Sequence, residues 1–124
     1  MKIYLFDVDA TLECSNGPVA IESLINLRAD GHILGICGNW PVFTSKVPGW
    51  HEIISLVTTH FMYARDGVRC DKVDFMNTVK RFCAADEYVF VGNSDQHPMD
   101  EDSGAAARAG WRFIKEDAFA AGER

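Results

Sequence analysis

Short apolar runs alternate along the chain with stretches of helical periodicity. Ile3-Tyr4-Leu5-Phe6 reads as a buried strand that ends in the polar cluster 7–11. Asn16-Gly17-Pro18 supplies a helix start, with Pro18 suited to the first helical position. Ile21, Leu24 and Ile25 keep helical spacing, and Gly31 stands where that helix should stop. A second strand is predicted over 33–37, broken by Gly38-Asn39-Trp40-Pro41, then a loop with a short helix over 42–52 and a third strand over 53–57. Residues 61–71 carry no clear period. From Lys72 onward, Phe75, Met76, Val79, Phe82 and Cys83 mark an amphipathic helix. A strand over 88–91 runs into Gly92-Asn93-Ser94, an alanine-rich helix over 102–109 closes at Gly110, a strand follows over 111–114, and a short helix starts at Glu116.

Five short strands separated by helices predict an α/β protein. Its parallel sheet is covered by helices on both faces, giving three layers in a single domain over 1–124. In such sheets ligands bind beyond the carboxyl ends of the strands. The polar residues that follow strands one, two and four are therefore expected in one crevice. They are Asp7, Asp9 and Thr11, then Gly38 and Asn39, then Asn93 through Asp102. That crevice is acidic.

Composition narrows the picture. The 124 residues are 48% hydrophobic and 24% charged, which suits one globular domain and excludes disorder, collagen-like repeats and coiled coil. No apolar run approaches the ~20 residues of a membrane span, and Asp7 cuts off a secretory signal at once. The net charge of −6 argues against general attraction to nucleic acid. Cys14, Cys37, Cys70 and Cys83 form neither a CxxC pair nor a zinc-finger spacing, so they read as free thiols in a reducing, cytoplasmic setting.

The chemistry concentrates in Asp7-Val8-Asp9-Ala10-Thr11. At a strand end, residues i and i+2 project to the same side, so Asp7 and Asp9 face the crevice together. Two carboxylates suit a division of labour, one attacking as a nucleophile and the other moving protons. Holding both ionised side by side calls for a divalent cation, most simply magnesium.

An apolar strand followed by D-x-D-x-T resembles the first motif of the haloacid-dehalogenase-like superfamily of phosphohydrolases, matched here by Asp7, Asp9 and Thr11. The resemblance implies a Rossmann-like core and a phospho-aspartyl intermediate on Asp7, with Asp9 as the acid/base. It further implies phosphate binding around Thr11, Gly38 and Asn39. The family's second motif ends a strand in Ser or Thr, and here Gly38 stands in that place, a departure that removes one hydrogen bond to phosphate. The third motif is a lysine at a helix start. Lys72 fits it, with Arg65, Arg69 and Lys46 as substitutes. The fourth is a strand followed by GD or GN and a further acid, matched by Gly92-Asn93 and Asp102. The implied magnesium ligands are thus Asp7, Asp9, Asn93 and Asp102. Asp95, Asp100 and Glu101, which lie in a longer loop than usual, are able to replace or supplement the last.

Family members often carry a cap domain that selects the substrate. Only a few residues separate Thr11 from the first helix, and the roughly thirty between Asn39 and Lys72 must already supply a helix and a strand. No cap is therefore expected. By resemblance, a capless site takes large phosphorylated substrates or borrows a neighbouring subunit as a lid, which makes a homo-oligomer one arrangement open to it. Trp40, Phe43, Lys46, Trp50, His51 and His97 are candidate contacts for a leaving group. The expected activity is a magnesium-dependent phosphomonoesterase. The alternatives are a weak or inactive phosphate-binding module and a nucleic-acid end phosphatase.

Overall fold

The computed structural model describes residues 1–57, 72–95 and 102–124. Within them the chain forms a five-stranded, all-parallel sheet and six α-helices, an α/β fold compatible with a Rossmann-like arrangement. In chain order the elements are β1 (Lys2–Phe6), α1 (Ile21–Ala29), β2 (Ile33–Ile36), α2 (Trp40–Lys46), α3 (Trp50–Ile53), β3 (Leu56–Val57), α4 (Lys72–Phe82), β4 (Glu87–Gly92), α5 (Ser103–Ala109), β5 (Arg112–Lys115) and α6 (Glu116–Ala120). The strand order is β3-β2-β1-β4-β5, so β1 is the central strand, paired with β2 on one side and β4 on the other. No helix among the described residues is long and apolar enough to cross a membrane.

The alternation of side chains along a strand divides the core in two. Tyr4 and Phe6 join Leu34, Ile36, Val89, Val91 and Ile114 in one cluster, completed by Leu24 and Leu27 of α1, Phe43 of α2 and Phe119 of α6. The Phe119 ring meets Phe6 edge-on at 5.4 Å and Tyr4 at 6.3 Å, contacts worth about 0.5–1.5 kcal/mol each beyond burial. Ile3, Leu5 and Phe90 belong to the other cluster, with Met76 and Val79 of α4 and Ala105, Ala106 and Ala109 of α5.

Several expected boundaries shift, each for a local reason. Pro18 does not open α1, which begins at Ile21. Before it, Glu13–Ser15 form a 3-10 turn, Val19 bridges to Leu12, and the Glu13 carboxylate accepts the Ile21 N–H at 2.9 Å. The chain thus folds back over the end of β1 before it becomes helical. The segment 42–52 holds most of two helices rather than one, separated where Gly49 takes φ +74°. Among the described residues the third strand is Leu56–Val57, starting later than predicted because Ile53 closes α3. Phe82 is 74% exposed although the pattern placed it inside. The buried stripe of α4 runs through Lys72, Met76 and Val79, and Phe82 points off it. The stretch 61–71 lies outside the described residues.

Candidate active site

β1 delivers its last residue to the carboxyl edge of the sheet and the chain continues extended for one more pairing. The Asp7 N–H donates to the Val91 carbonyl at 2.9 Å, and on the other side the Cys37 N–H donates to Phe6 at 2.9 Å. Asp7 therefore sits where β1, β2 and β4 end together. It lines an open cleft of about 300 Å³ with Asp9, Ala10, Lys72, Asn93, Ser94 and Asp102. The residue is 8% exposed, enclosed yet facing this cleft.

Three sequence-distant segments meet on its carboxylate. Lys72, the first residue of α4, donates through Nζ to Asp7 Oδ1 at 2.8 Å and to Asp102 Oδ1 at 2.7 Å. The same ammonium lies 5.4 Å from the centroid of the Phe90 ring beneath it. Thr11 Oγ1 donates to Asp7 Oδ2 at 3.1 Å. Asp102 stands at the N-cap of α5 but makes no capping bond with its side chain. Its Oδ2 instead accepts the Asn93 and Ser94 backbone N–H groups, each at 3.0 Å, which ties the exit of β4 to α5. Gly92 permits that approach, since a β carbon there would fall 2.7 Å from Asp102 Cγ.

The electrostatics follow from one ammonium serving two buried carboxylates. Burial pushes the Asp7 carboxyl above the usual carboxylate range. Lys72 pulls it down, Asp102 pushes it up again, and the net shift is upward. Burial alone would lower the Lys72 ammonium, but Asp7 and Asp102 outweigh it and hold it above the ordinary lysine value. The cleft, with Asp9 added, carries more negative than positive charge among the described residues.

Magnesium fits this chemistry in part. No group of three or more His, Cys, Asp or Glu residues forms a ready cage among the described residues. Hard oxygens are nevertheless close together around Asp7. Hydrogen bonding directs the Asn93 amide nitrogen at Asp7 Oδ2, 2.9 Å away, and at Asp102 Oδ2, 3.0 Å away. An amide oxygen in that position would face two carboxylate oxygens and would need a cation among them.

The other expected residues are distributed as follows. Asp9 is exposed, and its carboxylate accepts from Ser15 and Asn39 rather than touching Asp7. The Asn39 side chain is thus engaged with Asp9. Gly38 lies directly against the nucleophile candidate, since a β carbon there would meet Asp7 Oδ1 at 2.8 Å. A Ser or Thr could enter only by moving the carboxylate that Lys72 holds, which gives the missing hydroxyl a steric reason. Phe43 is a core residue; Trp40 and Trp50 are partly buried against the same cluster, and Lys46 and His51 are exposed. None of these five lines the cleft. Asp95 is exposed and faces Lys115 at 3.7 Å. Arg65, Arg69, His97, Asp100 and Glu101 lie outside the described residues. Cys14, Cys37 and Cys83 form no disulfide among the described residues, and burial pushes the Cys14 thiol up, away from thiolate chemistry.

Sequence reasoning missed Ser15. Its only signal is the Asn16-Gly17 pair behind it, which turns the chain back toward the aspartates. Ala10 was also passed over. It adopts φ +58°, a left-handed conformation that a β carbon disfavours by roughly 1–2 kcal/mol. Ala10→Gly is expected to stabilise the fold by about 0.5–1 kcal/mol once the greater entropy of unfolded glycine is subtracted. A higher urea midpoint with an unchanged slope is the expected reading; a lower midpoint contradicts it.

Comparison with protein-family models, curated proteins and solved structures returned no match.

Proposed function

We propose that the protein is a magnesium-dependent phosphomonoesterase of the haloacid-dehalogenase-like type, a three-layer Rossmann-like core without a cap, working in a reducing cytoplasm. The observation that carries this reading is the Lys72 ammonium held between Asp7 and Asp102, beside a cleft that Asp7 and Asp9 both line. Core clusters on opposite faces of the sheet support the three layers. The openness of the cleft supports large phosphorylated substrates.

In this mechanism an Asp7 oxygen bonds to phosphorus while the P–O ester bond breaks, and Asp9 gives its proton to the departing oxygen. Asp9 then takes a proton from water, whose oxygen attacks the phospho-aspartyl phosphorus, releasing phosphate and restoring Asp7. Lys72 fixes Asp7 for attack and offsets charge gathering on the transferring group. Thr11 orients the second Asp7 oxygen, and the backbone at Gly38 and Asn39 borders the phosphoryl position. Asp7, Asp9, Asn93 and Asp102 would hold magnesium, which would supply charge neutralisation for an anionic nucleophile approaching an anionic phosphate.

The test is phosphate release from a panel of monoesters with magnesium and with a chelator. Turnover that disappears on chelation is expected. Gly38 favours a second reading, a phosphate-binding module of little activity, because the steric contact with Asp7 denies the site a hydroxyl donor. Protein that binds magnesium and phosphate yet turns over nothing selects that reading. A 3′-phosphorylated oligonucleotide in the same panel tests nucleic-acid ends, which the net charge of −6 disfavours.

A further inference from the structure

We infer that Ser15 and Asn39 are positioning residues that fix the Asp9 carboxyl group for proton delivery to the leaving oxygen, an inference that rests on the phosphomonoesterase reading. An exposed aspartate samples its rotamers freely unless something holds it. Here Ser15 Oγ donates to Asp9 Oδ1 at 2.7 Å, and Asn39 Nδ2 donates to Oδ2 at 3.1 Å and to Oδ1 at 3.3 Å. The two donors reach Asp9 from separate elements, the 3-10 turn after β1 and the head of α2.

Asn39 supplies an independent sign that this arrangement is selected. It occupies the N-cap of α2, where an asparagine side chain ordinarily accepts a first-turn N–H and contributes ~1 kcal/mol. It makes no such bond and serves Asp9 instead. Ser15 is set by main-chain bonds that do not involve its hydroxyl. Its N–H donates to Leu12 at 2.9 Å, and its carbonyl accepts from Ala10 at 2.8 Å. The turn therefore survives loss of Oγ, and the hydroxyl can be removed cleanly.

The two Asp9 oxygens are unequally occupied, with two donors on Oδ1 and one on Oδ2. Ser15 anchors Oδ1 and Asn39 spans both oxygens, so the carboxyl group is held in one orientation for the proton it is to deliver. As the Asp7 oxygen bonds to phosphorus and the ester P–O bond breaks, that proton passes to the departing oxygen. Ser15 and Asn39 are aimed at the carboxylate left behind, so their interaction strengthens as transfer proceeds. The benefit depends on the ester. An alkoxide leaves poorly without a proton, whereas nitrophenolate leaves readily.

The experiment compares glycerol 3-phosphate with 4-nitrophenyl phosphate for wild type, Ser15→Ala, Ser15→Thr and Asn39→Ala. The readout is kcat/KM, which covers the steps through phosphoryl transfer. Ser15→Ala and Asn39→Ala are expected to lower it about tenfold for the alkyl ester and less than about threefold for the aryl ester, a fraction of the ~10²–10⁴ that general acid catalysis supplies. Ser15→Thr, which keeps the hydroxyl, restores the alkyl ester. An equal loss on both esters, the mark of a merely structural role, overturns the inference, as does an unchanged alkyl ester. Failure of the wild type to release phosphate from either ester overturns the phosphatase reading, and this inference with it.

Discussion

Asp7→Asn is expected to abolish phosphate release while making the cation-free protein more stable. On the proposed mechanism the loss follows from removing the group that would form the phospho-enzyme, and turnover should fall by at least ~10³-fold. The gain follows from burial. The Asp7 carboxyl lies above its ordinary range because desolvation outweighs the help of Lys72 and Thr11. A carboxyl raised in the folded state contributes stability that is complete below its unfolded value and is lost as pH rises through its folded value. At neutral pH the ionised side chain therefore works against folding. An asparagine keeps the shape, offers an oxygen to Lys72 and can donate to the Thr11 hydroxyl. Thermal melts without magnesium should show a higher midpoint for the variant near pH 7 and a narrowing difference as the pH falls toward 4. Wild-type turnover in Asp7→Asn would remove the mechanism; a lower neutral-pH midpoint would remove the account of burial.

Lys72→Met is the larger perturbation of the fold. Lys72 is 6% exposed and Asp102 2%, so the ammonium is the counter-ion of two enclosed carboxylates. Breaking a buried pair from one side typically costs about 3–5 kcal/mol, because the remaining charge is stranded. The raised Lys72 value means that its contribution is complete below the ordinary lysine range and is lost only as pH climbs through the higher folded value. Between pH 5 and 8 the Lys72 ammonium therefore stays charged in the wild type. The deficit in the variant comes from ionised carboxylates, so it should shrink on acidification as Asp7 takes up a proton. Urea unfolding at pH 7 and at pH 5 measures both effects. A deficit that stays constant or grows at the lower pH contradicts the assignment.

Much of this was legible in the chain because the relevant signals are local. The run from Ile3 to Phe6 fixes a strand whose end must present Asp7, and Gly110 closes α5 in a left-handed turn at φ +71°. Lys72 has no such local signal: the order of the motifs in the resemblance singles it out, and the structure brings it to Asp7 and Asp102. What escaped were relations that depend on the return path of a loop. Ser15 reaches Asp9 only because the chain curls through a 3-10 turn and a bridge at Val19, and neither has a periodic signature. Asn39 is expected to meet phosphate through its backbone, and nothing in the sequence shows that its side chain faces Asp9. The absence of a side chain at Gly38 read as a missing donor. Only the 2.8 Å approach to Asp7 Oδ1 reveals it as clearance.

The central placement of β1 has a consequence for the order of assembly. During synthesis the first strand emerges early and can pair with β2, but its opposite edge stays open until residues 87–92 have been made. Such non-local pairing is slow, and an open edge is a template for unwanted strand addition. The polar crown at the end of β1 is also unfinished in that interval, because Lys72 is made before β4 but Asp102 only after it. A nascent chain halted before residue 72 therefore holds part of the sheet with an unpaired flank and no counter-ion for Asp7.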